Sequence, residues 1–182
     1  MKEKLPTELT SVEEILQIWR TNRKEATDHL TLLNDDQLKT RPEGKWSISE
    51  VGEHLYISQW NVARMIPAVL SAKIGFDVGE QKDLDFRKMR IGLARPTGFK
   101  NPENFSPLNN YSLNELLPLL EKSMKKLEEN LTGKTISELE VRGVEHPAFG
   151  LLNLFNFLWV MSLHEGLHTY AIKDRVNKIK GK

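Results

Sequence analysis

Residues 148–173 read AFGLLNLFNFLWVMSLHEGLHTYAIK, and this stretch decides the fold. Its first half is apolar nearly all round, which is typical of a helix that other helices surround. Two asparagines and a serine interrupt the apolar run, which is shorter than the roughly 18 residues of a membrane span. We therefore predict a buried helix that follows His146-Pro147 and ends near Lys178.

Three further helices are predicted upstream of this one. Each begins with a capping box, in which a serine is followed three residues later by a glutamate. Apolar residues then recur at helical spacing, and no convincing run of alternating β-type residues competes with them. The capping pairs are Ser11 with Glu14, Ser47 with Glu50, and Ser112 with Glu115. Four amphipathic helices without strands predict an all-α fold, a four-helix bundle.

The chain length of 182 residues predicts a single domain over residues 1–182, with long crossover connections between helices. Residues 73–111 are rich in glycine, proline and charge and have no clear periodicity. A segment of this kind is typical of a lid or binding loop, and equally of a crossover that spans the length of the bundle.

Composition excludes several classes of function. The 26 basic and 25 acidic residues nearly cancel, so the charge gives no reason to expect nucleic acid or a membrane as a partner. There is no cysteine, which excludes disulfides, thiolate ligands and a cysteine nucleophile. The N-terminus lacks the apolar run of a signal peptide, and the absence of cysteine fits a reducing compartment. We expect a cytoplasmic protein.

The histidines predict a metal site. His164 and His168 are four residues apart, so both side chains leave the helix on the face that also carries Met161 and Ile172. Two buried imidazoles need partners for their ring nitrogens, and one divalent ion is a partner for both. His54 lies on the inward side of the second helix and is placed to supply a third nitrogen, which leaves an open coordination position.

Each histidine also has an ordinary interpretation. A single inward histidine such as His54 is more often a packed, hydrogen-bonded core residue, whereas a pair at ligand spacing is a less common accident. His29, beside Asp28 near the core stripe of the first helix, is either a surface residue or a neighbour of the site. His146 precedes a proline at a helix entry, where a capping or loop role is expected.

Residues 164–168, HEGLH, match the H-E-x-x-H motif of zinc proteases, in which the glutamate is the general base. A downstream glutamate ligand is excluded because no glutamate follows Glu165. Asp174 stands where a different protease class has its third ligand, but Ala171 replaces the glycine that the intervening turn needs. We therefore interpret the match as a coincidence of a short motif.

Four stretches carry a family resemblance: residues 46–55 (WSISEVGEHL), 98–102 (GFKNP), 146–150 (HPAFG) and 164–168 (HEGLH). In this order and separation they resemble the DinB/YfiT-like superfamily of metal-binding four-helix proteins. The resemblance implies the same fold over nearly the whole chain, with His54, His164 and His168 as metal ligands. Members often have a glutamine three residues after the last histidine, where this chain has Ala171.

The resemblance also implies candidate activities. Members with known activity include metal-dependent thiol transferases that use bacillithiol or mycothiol, and a thiol-dependent isomerase; many others are described as metal-dependent hydrolases. We expect a divalent-metal enzyme, with zinc or nickel, that transfers a low-molecular-weight thiol to a small electrophile. The alternatives are a metal-dependent hydrolase and a non-catalytic metal-binding or stress-induced bundle protein. The expected partners are the thiol and the electrophile, with no nucleic acid and no membrane, and a homodimer is allowed.

Three glutamates beside the histidines are candidates to orient an imidazole or carry a proton: Glu53 and Glu165 as catalytic candidates, and Glu50, for which a capping role is the simpler explanation. Tyr56, Trp60 and Asn61 are candidates to line the pocket, although core packing accounts for Trp60 equally well.

Overall fold

Helices dominate the part of the chain that the computed structural model describes, residues 9–81, 84–85, 88–89 and 105–181. In chain order the helices are α1 (Val12–Leu30), α2 (Asp35–Lys39), α3 (Ile48–Leu70), α4 (Leu113–Leu131), α5 (Ile136–Glu140) and α6 (Leu154–Lys180). The long helices α1, α3, α4 and α6 form a ring, since α1 packs on α6 and α4, and α3 packs on the same two. The predicted four-helix bundle is confirmed.

The predicted starts of the first three helices are confirmed. Ser11, Ser47 and Ser112 are the N-cap residues of α1, α3 and α4. In each case the glutamate three residues on accepts a hydrogen bond from the N-cap backbone N–H, at 2.7 Å for Ser47. The short helix α2 has the same arrangement, with Asn34 as its cap. These bonds satisfy donors that the first turn of a helix leaves free.

The expectation of a fold without strands is wrong. Strands β1 (Phe76–Asp77), β2 (Arg142–His146) and β3 (Gly150–Asn153) form an antiparallel sheet in the order β1-β2-β3. Helix α6 therefore begins at Leu154, several residues after the predicted start. Gly150 adopts a φ of 72°, and a Cβ at Gly143 would lie 1.9 Å from the carbonyl oxygen of Leu152. Only glycine permits this close approach, so these two glycines favour a hairpin over a helix.

The core consists of two apolar clusters with a polar layer between them. One cluster contains Trp19 and Leu158, and the other contains Leu30 and Leu55. Along each long helix a buried polar residue lies between the segments that supply the two clusters. These polar residues are Arg23 on α1, Gln59 on α3, Ser123 on α4 and Glu165 on α6. On α6, His164 directly precedes Glu165, and on α3, His54 lies five residues before Gln59.

Several predictions concern segments that the structure describes only in part. The GFKNP stretch at 98–102 and the first residues of the chain lie outside the described residues. The end of the 73–111 connection is described, and its residues 105–111 pack against the start of α3. No helix within the described ranges is both long and apolar enough to cross a membrane.

Candidate metal centre

The structure brings His54, His164 and His168 together. Nε2 of His164 lies 3.3 Å from Nε2 of His54 and 3.1 Å from Nε2 of His168. Helix α3 supplies the first ring and α6 supplies the other two, one turn apart. His54 is buried, whereas His164 and His168 are half-buried. His164 and His168 are therefore each accessible to solvent in part.

All three rings are neutral at neutral pH. Burial lowers the pKa of His54 and, together with the charges of the neighbouring rings, holds the pKa of His164 well below its usual value. Burial also lowers the pKa of His168 to about 3. Nδ1 of His54 donates to the carbonyl oxygen of Phe105 at 2.7 Å, so its Nε2 presents a lone pair to the other two rings.

This set of donors fits a small divalent ion. If Nε2 of His164 carries a proton, that one N–H must be shared between the Nε2 lone pairs of two neighbouring rings. A metal ion, in contrast, accepts a lone pair from all three rings. Imidazole nitrogens about 2.0–2.1 Å from a tetrahedral zinc lie roughly 3.3 Å from one another, close to the separations found here. Within the described ranges these three residues are the group of potential ligands that converges in this way.

Glu53 holds the chain segment that orients His54. Its buried carboxylate accepts from the backbone N–H groups of Leu108, Asn109 and Asn110 at 3.1, 2.9 and 3.3 Å, and from the Asn109 side-chain amide at 2.6 Å. The same segment carries the Phe105 carbonyl that accepts from His54. Glu53 therefore acts on the site through a loop and does not bond an imidazole directly.

Glu165 is bonded on another side of α6. Its two oxygens accept from Nε and a terminal nitrogen of Arg23 at 2.7 and 3.2 Å, and both side chains are almost fully buried. Arg23 also donates to the carbonyl oxygen of Leu120 and to the hydroxyl of Ser123. Burial raises the pKa of the Glu165 carboxyl, and the Arg23 charge opposes that rise. A carboxylate held in this way is poorly placed for the general-base role of the protease motif.

The remaining candidates lie apart from the cluster. Glu50 caps α3 and forms an ion pair with Arg41. The ring centroid of Trp60 lies 4.7 Å from Nζ of Lys122 on α4, and the ring is near that of Tyr56. Trp60 lies on a different face of α3 from His54. Asn61 is seven residues after His54 and so shares its face. His29 bonds the carbonyl oxygen of Glu25 within α1.

Sequence reasoning missed two groups that shape the site. One is Arg23, which has a sequence signal, since a basic residue stands between Trp19 and Ala26 on the apolar stripe of α1. The other is the Phe105 carbonyl. A backbone acceptor has no side-chain signature, so no sequence pattern could have identified it.

The fold and the cluster together define a class, four-helix-bundle proteins with three histidines arranged for one metal ion. The family model of the DinB superfamily matches residues 18–172, and the chain belongs to that superfamily. No curated protein matches the sequence.

Two solved structures are similar to this chain. One is YfiT from Bacillus subtilis, described as a probable metal-dependent hydrolase with an unusual four-helix bundle topology. It is 17% identical with a TM-score of 0.63, over 100% of this chain and 93% of that one. The other is TT2238, described as a four-helix bundle protein, 21% identical with a TM-score of 0.60, over 90% of this chain and 98% of that one. At these identities the likeness shows the fold.

Proposed function

We propose that the protein is a divalent-metal enzyme that uses zinc or nickel and transfers a low-molecular-weight thiol to a small electrophile. The observation that carries the proposal is the convergence of three neutral Nε2 atoms on one point, with two of the rings half-buried. Three protein ligands leave the fourth position of a tetrahedral ion open. An open position favours an enzyme over a closed structural site.

The ligand set suits thiol chemistry. A divalent ion on three uncharged imidazoles keeps its full charge and, when bound, lowers the pKa of a thiol beside it. The chain itself contributes the alignment of the rings, through the Phe105 carbonyl and the Glu53 carboxylate that holds its segment. The chain has no cysteine, so the thiol must come from a cosubstrate and the electrophile meets no competing protein thiol.

A metal-dependent hydrolase is the second candidate. The likeness to YfiT, itself described as a probable metal-dependent hydrolase, favours it. The same open position could take up a water and lower its pKa. Both candidates need only small molecules as partners, and neither requires nucleic acid or a membrane.

A paired assay separates these functions. The protein is stripped of metal, reloaded with zinc or nickel, and supplied with chlorodinitrobenzene and a thiol, either bacillithiol, glutathione or β-mercaptoethanol. A parallel reaction supplies a nitrophenyl ester without thiol. We expect metal-dependent thiol transfer that the His168→Ala variant lacks. Ester cleavage alone would favour the hydrolase, and a metal-loaded protein inactive in both assays would favour a non-catalytic bundle.

A further inference from the structure

His146 packs on helix α6, on the face that carries His164, and is not one of the three clustered rings. It is the last residue of β2, and side chains alternate along a strand, so it shares a face with Val144, which packs against the apolar core. Its ring centroid is 5.9 Å from that of Phe157. Phe157 precedes His164 by seven residues, two turns along the same face of α6. The hairpin therefore brings a fourth imidazole to the helix face that carries two of the three rings.

The hydrogen bonding of His146 fixes which nitrogen carries the proton. The backbone N–H of Ala148 donates to Nδ1 at 3.1 Å, so the neutral ring has its proton on Nε2. Burial lowers the pKa of His146 to about 4, which keeps the ring neutral at neutral pH. The Nε2–H is thus a neutral hydrogen-bond donor next to Phe157, on the face of α6 that also carries His164.

Aromatic rings surround this donor. The ring of Phe149 stacks on His146 with centroids 4.8 Å apart and an interplanar angle of 26°, and Phe157 packs on it at a tilt. The half-buried rings of His146 and Phe149 lie next to the buried Phe157 and form a surface that is mostly apolar with one donor. Such a surface recognises an apolar or aromatic body that bears a hydrogen-bond acceptor.

We propose that His146 is a substrate-binding residue whose Nε2–H donates to an acceptor oxygen of the electrophile, while Phe149 contacts its apolar body and Phe157 supports the His146 ring. The inference rests on the proposed function, because it assigns the electrophile of that reaction to this side of the cluster. It identifies the substrate class as aromatic or apolar electrophiles with a nitro or carbonyl oxygen next to the reacting carbon. His146 binds substrate and is not a metal ligand.

The test uses two unreactive probes and one variant. Dinitrobenzene has acceptor oxygens, and chlorobenzene has a similar ring without them. Binding of each to the zinc-loaded and the metal-free protein is followed by NMR shifts of the histidine and phenylalanine rings. In His146→Phe, which keeps the stacking but removes the N–H, we expect dinitrobenzene to bind about 3- to 10-fold more weakly and chlorobenzene to bind unchanged.

Two controls keep the result specific. His29→Phe changes a half-buried histidine outside the site and should leave both probes unaffected. His146→Asn retains a donor and should recover part of the dinitrobenzene affinity. Zinc affinity, measured by chelator competition, should be the same in the parent and in His146→Phe.

Several outcomes would overturn the assignment. In His146→Phe they are equally weakened binding of both probes, unchanged binding of both probes, or a reduced affinity for zinc. In the parent protein the contradicting result is no detectable binding of dinitrobenzene. Failure of the proposed function is distinguishable from these. If dinitrobenzene binds in a His146-dependent way but no thiol transfer occurs, the binding surface stands and the transferase does not. If thiol transfer occurs with the same KM for chlorodinitrobenzene in the parent and in His146→Phe, the transferase stands and the binding role of His146 does not.

Discussion

Within one turn of α6, Glu165 and the histidine pair His164 and His168 have opposite hydrogen-bonding environments. Glu165 has both oxygens bonded to Arg23, whose other donors reach α4. The rings of His164 and His168 turn their Nε2 atoms toward each other and toward His54. The hydrogen bonds of Glu165 and Arg23 are satisfied within the protein, so this network has a structural role. The three Nε2 atoms are acceptors with too few protons among them, so they are suited to bind a cation. The number of hydrogen-bond donors available to each group therefore separates the structural role of Glu165 from the metal-binding role of the histidines.

Arg23→Met should have the largest effect, because it leaves the buried Glu165 carboxylate without its counter-charge. We expect the free energy of unfolding to fall by about 3–5 kcal/mol, measured by urea denaturation of the metal-free protein. The double variant Arg23→Met with Glu165→Leu removes both charges and should recover much of that loss. Equal stability of Arg23→Met and the parent would show that the network contributes nothing to folding.

His168→Ala should disrupt the histidine cluster with little effect on the stability of the fold. Removing one of three ligands should weaken zinc binding by more than about 100-fold, a larger effect than that of a residue behind the ligands. The metal-free variant should unfold within about 1 kcal/mol of the parent. Glu165→Gln is the matched comparison and should retain zinc, because the carboxylate is bonded to Arg23. If Glu165→Gln abolished activity with zinc still bound, the general-base interpretation of the motif would be restored.

Zinc should stabilise a protein that already folds without it. The two apolar clusters do not depend on the metal, so the metal-free protein should give a cooperative melting transition. A free zinc concentration 100 times the Kd should add about 2.7 kcal/mol by mass action, seen as a higher Tm. Complete unfolding by a chelator at room temperature would show that the histidine region, and not the apolar core, holds the bundle together.

Glu53→Gln should have a smaller effect that acts through the loop. An amide places N–H groups where backbone N–H groups now donate, so the 105–110 segment should loosen and His54 should lose its fixed orientation. We expect zinc affinity to fall about 10- to 100-fold. Glu50→Gln is the control, a neighbouring carboxylate that caps α3 and pairs with Arg41. If both variants lost zinc equally, the loop would not be the cause.

A further prediction concerns the pH dependence of the metal-free protein. The pKa of His168 is lowered from 6.5 to about 3 and that of His146 to about 4, so the unfolded chain binds more protons than the folded one below pH 6.5. Stability should therefore decrease as the pH falls from 6.5 toward 4. His168→Ala should show a shallower decrease in urea titrations at several pH values. A parallel profile would mean that this ring titrates normally in the fold.

The sequence predicted what depends on side-chain periodicity. The capping serines, the four apolar stripes and the three histidines all follow from local spacing, and the structure brings those histidines together. The hairpin was missed because β2 and β3 are only five and four residues long. In addition, the apolar residues of β3 are followed directly by those that begin α6, so the sequence does not mark the boundary between strand and helix.

The roles of the two glutamates could not be separated from sequence. Glu53 and Glu165 each directly adjoin a histidine of the cluster in the sequence, so the sequence supported a catalytic role equally for both. Their partners are a loop 55 residues further along the chain and an arginine 142 residues away. Only tertiary packing decides between such distant partners.

Helix α6 carries both regions on one uninterrupted segment of 27 residues. Each residue turns the helix by about 100°, so one residue inserted between Asn153 and His164 would rotate the histidine pair away from His54 and Glu165 away from Arg23 together. An insertion in this part of α6 would therefore disrupt both regions, whereas one in the connections would leave both in place. Deletions and insertions there can remodel what surrounds the site, while the ion pair and the ligands are inherited as one unit.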